Sequence, residues 1–247
     1  MIQHLSIENL DLKATKSFLK IHFEFIPSYI KNVKRSLKDQ KPKEKDSFWQ
    51  ATVKSMGNEL NKLQLKYLYH SSYLYIYAEF EDYMSHIGKL AKKHSKSRLS
   101  VGDLKGGNSE NKKLIDYLEK HLEFNIDKRG NLWREVDLYT ELRNQLSHSS
   151  TRVTTDSPRG KKLIAYFEKD EKISYNIENS TFVINDIKFL NTLCQKLSEY
   201  SLMIIDLLIE RYDPQAAKDD EELEWIKDTE NSIDDTSFFE YLKTKDS

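Results

Sequence analysis

Apolar residues recur along most of this chain at the three- and four-residue spacing of an amphipathic helix, and one short stretch departs from it. The spacing predicts one or two helices over residues 7 to 38, interrupted at Pro27, with Ser28 placed to cap a segment carrying Tyr29, Ile30, Val33 and Leu37. Lys38 to Asp46 reads as a charged linker. Ser47-Phe48-Trp49-Gln50 fits a capping box that opens a helix to about Lys93, with Gly57 as the place for a break. Leu60, Leu63, Tyr67, Leu74, Tyr77 and Met84 form one stripe along it, and Tyr73, Ile76, Phe80, Tyr83, Ile87 and Leu90 a second. A helix apolar on two sides belongs at the centre of a bundle.

Residues 94 to 108 are polar and glycine-bearing, and Gly106-Gly107 has neither the strand nor the Lys and Ser/Thr of a phosphate-binding loop. Ser109 is placed to cap a helix to about Phe124, and Asp127 to Asn131 to turn the chain into the next one. On that helix Leu132, Val136, Tyr139, Leu142 and Leu146 make one apolar arc. Residues 149 to 162 read as a Ser, Thr and basic loop. From Lys172 to Ile187 the period drops to two: Ile173, Tyr175 and Ile177 alternate, as do Phe182 and Ile184, around Glu178-Asn179-Ser180, which predicts a β-hairpin. A last helix spans about Asp186 to Arg211, with Leu190, Leu193, Leu197, Ile204, Ile205 and Leu208 inward. The expected fold is all-α, an up-and-down helical bundle with a small β-hairpin insertion. Its expected divisions are an N-terminal helical extension (1–46), a helical domain (47–212) and an acidic C-terminal tail (213–247).

Composition narrows the setting. Of 247 residues 32% are charged, with 7 Gly and 4 Pro, which suits a helical protein with few tight turns. No apolar run reaches the roughly 18 residues of a membrane span, and the N-terminus lacks a basic start followed by an apolar core, so a cytoplasmic protein is expected. Cys194, alone in the chain, lies in an apolar helical run and reads as a core residue. The net charge of −1 hides an asymmetry: residues 213 to 247 hold 12 acids and 4 lysines, a net of −8, so the body carries +7.

Candidate chemistry concentrates in Arg143-Asn144-Gln145-Leu146-Ser147-His148. Arginine is permanently cationic and forks onto phosphate oxygens, while histidine both gives and takes a proton near neutrality. RNA cleavage by the 2′-hydroxyl needs those two functions. Arg143 falls inside the apolar arc of its helix, so it needs an anionic partner or an opening to water, and Glu81 on the long helix is the candidate. Asn144 and His148 are four apart and share a face, from which the amide reaches the imidazole or a phosphate. Arg143 and His148 diverge by about 140° on an ideal helix, which favours two motif helices meeting across a twofold axis. Arg152, Arg159, Lys161 and Lys162 follow the motif as candidate RNA contacts, and Lys89, Lys92, Lys93, Lys96 and Arg98 end the long helix. His70 reads as a core or interface histidine. His86 and His94 lack partners at a metal-ligand spacing, so no metal and no cofactor are expected.

The string RNQLSHSS, together with Phe80-Glu81-Asp82-Tyr83-Met84 on an earlier long helix, resembles the corresponding elements of HEPN domains, chiefly the bacterial branches with ribonuclease activity. The resemblance covers roughly residues 48 to 212. It implies metal-independent cleavage with His148 as general acid/base at the 2′-hydroxyl or the leaving 5′-oxygen, Arg143 on the phosphate and Asn144 in support, leaving a 2′,3′-cyclic phosphate (or 3′-phosphate) and a 5′-hydroxyl. It also implies a role as a toxin or antiviral effector, with a regulatory or antitoxin protein as a partner, while the homodimer is expected from the divergence of Arg143 and His148. Two positions depart from the family pattern. Ser149 stands where Gly is frequent, and Ser150 stands where the members adenylylated by a partner nucleotidyltransferase carry Tyr. The competing expectation is a catalytically inactive helical module that dimerises, binds RNA or recruits a partner, with Arg143–Glu81 as a structural ion pair.

Overall fold

The computed structural model describes residues 11–39, 47–104, 109–128, 130–149 and 151–214, with the side chains of 37–39, 47–60, 148 and 149 outside that set. The first helix takes in Lys38 and Asp39, the expected start of the charged linker, and the rest of the linker (40–46), the side chains of the capping box at Ser47 and of Leu60, Gly106-Gly107 and the tail beyond Pro214 lie outside the described residues. Among the described residues there are six α-helices and one two-stranded antiparallel sheet: α1 (Leu12–Asp39), α2 (Ser47–Ser95), α3 (Glu110–Leu122), α4 (Asn131–Ser149), α5 (Pro158–Phe167), β1 (Ile173–Asn176), β2 (Thr181–Ile184) and α6 (Ile187–Tyr212). The molecule is a helical bundle with a small β-hairpin.

α1 does not break at Pro27. A mid-helix proline costs about 3 kcal/mol. Phe23, Ile26 and Ile30 lie on both sides of it and are all buried, each contributing on the order of 1.5 to 3 kcal/mol, so packing carries the helix through. α1 runs antiparallel to α2. Thr15 meets His86 (3.1 Å) near one end, His22 meets the Tyr83 hydroxyl (2.6 Å), and Lys34 lies over the Tyr69 ring near the other. α6 runs alongside α2 in the same direction, as the successive ring contacts Tyr73–Phe189, Phe80–Tyr200 and His94–Tyr212 record.

α2 is continuous across Gly57, and buried residues of every helix and both strands merge with its inner faces into one core. The predicted inner positions Tyr73, Ile76, Tyr77, Phe80, Tyr83, Met84, Ile87 and Leu90 are all buried, but Leu63 and Tyr67 are exposed. They precede the stretch of α2 over which α4 and α6 pack, so no described element covers that side. Cys194 is buried, and burial pushes its thiol up to about 12.

The hairpin pairs Ile173 with Ile184 and Asn176 with Thr181. Its buried residues Ile173, Phe182 and Ile184 face inward, and Phe182 stacks on Phe167 of α5 at 4.9 Å. α5 is a departure from the sequence reading, which places a loop over 149 to 162. Ser157 caps it by accepting from the Gly160 amide (2.9 Å), and Pro158 occupies its first turn.

Candidate functional site

Successive turns of α2 fasten α4. Tyr73, Tyr77 and Glu81 are four residues apart and therefore project along one line of the helix. The Tyr73 hydroxyl donates to the Tyr139 carbonyl (2.7 Å). The Tyr77 hydroxyl and Thr140 Oγ1 are 2.6 Å apart, and Thr140 Oγ1 also lies 2.9 Å from the Val136 carbonyl, to which it donates. A threonine hydroxyl has one hydrogen, so Tyr77 is the donor in the first bond. Arg143 Nη2 donates to Glu81 Oε2 at 2.9 Å, which is the partnership its place in the apolar arc requires. Val136, Tyr139, Leu142 and Leu146 are buried as predicted, and Leu138 and Thr140 join them.

The Glu81–Arg143 pair is half-buried, with side chains 17% and 32% exposed. Burial pushes the Glu81 carboxyl above its ordinary range; Arg143 pulls it down, and Glu110 and Asp82 push it up further. Arg143 Nη1 also donates to Asn144 Oδ1 at 3.2 Å. A guanidinium can only donate, so the amide oxygen must face it and the Asn144 NH₂ group points away. Two of the five guanidinium N–H donors are engaged by these bonds.

Asn144 shares its face of α4 with Asp137, Glu141 and position 148, since these residues recur at offsets of 4, 7 and 11. α4 extends to Ser149, so His148 sits in its last turn, one turn beyond Asn144; its side chain lies outside the described residues. The helical backbone over 143 to 148 retains the wide angle between Arg143 and His148.

The four basic candidates after the motif separate into two kinds. Lys162 pairs with Asp137 (2.7 Å) and Arg159 with Glu141 (3.6 Å), while Lys112 of α3 approaches Asp137 (3.1 Å). Burial would raise the Asp137 carboxyl, but the hydrogen bonds and charges of Lys162 and Lys112 prevail and hold it below its usual range. α4 is thus clamped by α3 and α5 on its polar face. The acids Asp137 and Glu141, spaced i and i+4, were the sequence signal for this clamp. Arg152 and Lys161 are exposed. The Arg152 backbone continues the sheet by an isolated bridge to Thr181, and its carbonyl accepts from the Gln145 side-chain amide. The hairpin therefore holds the segment that follows the motif.

The hairpin in turn is held by His70. Its Nε2 accepts the Ile184 amide (3.3 Å), which fixes the neutral imidazole with its proton on Nδ1. Burial first, and Lys66 second, lower the His70 pKa to about 4. Among the described residues no group of three or more His, Cys, Asp or Glu side chains is arranged to hold a metal ion, and no helix is long and apolar enough to cross a membrane. No protein-family model, no characterised protein and no solved structure matches the chain.

Proposed function

We propose that this protein is a metal-independent endoribonuclease of the HEPN type, acting through a cleft formed by two motif helices of a homodimer. The observation that carries the reading is the state of Arg143. Its guanidinium is fixed by Glu81 and Asn144, yet 32% of the side chain still faces solvent and N–H donors remain for a phosphate. A cation held in place before the substrate arrives costs no reorganisation when charge develops on the phosphate. The Asn144 NH₂, turned from Arg143, is left as a donor on the face of position 148. From there it can donate to a phosphate oxygen, which leaves the unprotonated imidazole nitrogen of His148 free to accept a proton. In the proposed reaction His148 takes the 2′-hydroxyl proton, the 2′-oxygen attacks the adjacent phosphorus, and the P–O5′ bond breaks as the 5′-oxygen takes up a proton from solvent. The products are a 2′,3′-cyclic phosphate and a 5′-hydroxyl. Arg143 and His148 diverge on one helix, so the second copy supplies the complementary group. In this reading the protein is a cytoplasmic toxin or antiviral effector, and a regulatory protein restrains it.

The test is purified protein with total RNA in excess EDTA. Cleavage persists, and His148→Ala and Arg143→Ala each lower it by on the order of 10²- to 10⁴-fold while the protein stays dimeric by light scattering. Activity that needs a divalent ion, or that survives both substitutions, overturns the mechanism. A second reading, a non-catalytic interaction module, is favoured by one observation: Arg159 and Lys162 are already paired with Glu141 and Asp137. Under that reading no cleavage is seen, and Arg143→Ala weakens the fold without touching any activity.

A further inference from the structure

The end of α2 carries the described molecule's densest run of cations, at Lys92, Lys93, Lys96 and Arg98. Lys92 and Lys93 lie in the last turn, where the helix dipole favours positive charge. Lys96 directly follows the helix end, still beside its negative pole, and Arg98 lies three residues past it. Lys96 has a positive φ of 54°, the left-handed conformation that stops the helix and turns the chain back. Lys93, Lys96 and Arg98 are exposed, and so is Leu99, beside Arg98 (43%). Of the nearby carboxylates, Asp103 senses Lys92, but its oxygen is engaged by the Ser100 amide (2.7 Å) and hydroxyl (2.6 Å).

α6 ends at this same place. Tyr212 lies against His94 (6.2 Å between rings) and Phe124 (6.1 Å), and Arg211, one residue before it, sits over Phe124 at 3.7 Å while donating to the carbonyls of Leu122 and Glu123. The exit of the chain is thereby fixed beside the basic patch. The next 33 residues, beyond Pro214, begin with the densest acidic run of the protein: Asp219, Asp220, Glu221, Glu222 and Glu224 within six positions, followed by Trp225 and Ile226. Asp219 is seven residues past Tyr212, a reach of up to about 24 Å. A tether this short gives an effective concentration on the order of millimolar, so even a weak attraction is occupied intramolecularly.

We infer that residues 219–226 of the C-terminal tail dock on the basic end of α2 of their own chain, with the acidic run on Lys92, Lys93, Lys96 and Arg98 and the apolar pair on Leu99. The inference does not depend on the ribonuclease reading. Its consequence for RNA does: Lys92 lies 11 residues after Glu81, within about 20° on the same α2 face and about 16 Å along it, so a docked tail occupies the path by which a polyanion leads to Arg143.

The experiment is zero-length carbodiimide cross-linking of the full chain at low salt, with isotopically labelled and unlabelled copies mixed so that links within and between chains differ in mass. Links within one chain are expected from Asp219–Glu224 to Lys92, Lys93 and Lys96, falling several-fold in 1 M salt, where the screening length drops to about 3 Å. Lys92→Glu, Lys93→Glu and Lys96→Glu together abolish them. Combining these with Asp219→Lys, Asp220→Lys, Glu221→Lys and Glu222→Lys restores them with the polarity reversed. The wild-type map stands alone if the variants do not fold. Links that scatter over lysines elsewhere, that resist salt, or that join different copies overturn the inference, because the acidic run then sits on another surface or on a second molecule.

Discussion

Replacing Glu81 by Gln removes the charge that holds Arg143 while keeping the shape of the side chain. The two charge centres are about 4 Å apart across the 2.9 Å contact, which at an effective dielectric near 20 is worth about 4 kcal/mol before desolvation. Half-burial cancels much of that, so the pair lies between an exposed ion pair, at up to about 1 kcal/mol, and a buried one, whose breakage costs about 3 to 5 kcal/mol. We expect Glu81→Gln to destabilise by about 1 to 2 kcal/mol and a Glu81→Gln/Arg143→Met cycle to give a coupling of similar size, read from urea unfolding at pH 7.5. Arg143→Met alone should cost more, because it strands the more buried partner. The Glu81 carboxyl, already raised by burial, then loses the guanidinium that lowered it. A carboxyl whose folded pKa exceeds its unfolded one weakens the fold at high pH, and this penalty fades as pH falls toward the unfolded value. The deficit of Arg143→Met should accordingly shrink between pH 8 and pH 5. In the cleavage assay Glu81→Gln leaves the cation in place but frees it, so kcat should drop on the order of 10-fold, about 1.4 kcal/mol, with a smaller change in KM. A coupling below about 0.3 kcal/mol would show that the pair does not hold Arg143. Unchanged kcat in a folded Glu81→Gln protein would show that holding it is irrelevant to the chemistry.

Three further perturbations follow from the same packing. Tyr77→Phe removes one hydrogen bond and leaves Thr140 still donating to Val136, so it should cost about 1 kcal/mol, whereas Thr140→Val strands the buried Tyr77 hydroxyl and should cost more, about 1 to 3 kcal/mol, by denaturant unfolding. Gly160→Ala places a Cβ 1.8 Å from the Thr154 carbonyl oxygen, which is backbone and cannot turn aside; a loss of at least about 2 kcal/mol is expected, and an unchanged melting temperature would contradict the close approach that starts α5. His70 has a folded pKa of about 4 against 6.5 unfolded, so the unfolded chain binds the extra proton between those values and stability falls with pH there, by roughly 2 kcal/mol from pH 7 to pH 5. His70→Gln, which retains an acceptor for the Ile184 amide but does not titrate, should be flatter by that amount over the same interval.

What the sequence disclosed follows a physical line between burial and surface. Arg143 was assigned a partner because it stood in an apolar arc, and a charge there has few ways to survive; Glu81, on an inner stripe of α2, was the matching anion. The hairpin was legible for a similar reason, since a period of two puts Phe182 and Ile184 on one side, and both are buried. At Pro27 local propensity alone predicts a break, whereas the core that Phe23, Ile26 and Ile30 build across it keeps α1 whole.

The loop expected over residues 149–162 gives way to α5 from Pro158 for a different reason. Its Ser157-Pro158 start and the spacing of Leu163, Ile164 and Phe167 suit a helix, but its basic residues equally suit a solvated loop, and the acids that engage Arg159 and Lys162 lie a helix away at Glu141 and Asp137. An exposed cation has many possible partners, and which one it takes depends on where α5 is set down, which rests in turn on Gly160 meeting Thr154. Burial therefore names a partner from pattern alone, while surface pairing has to await the fold. The same distinction bears on the proposed function: Arg143, paired with Glu81 of α2, has its place set independently of α5.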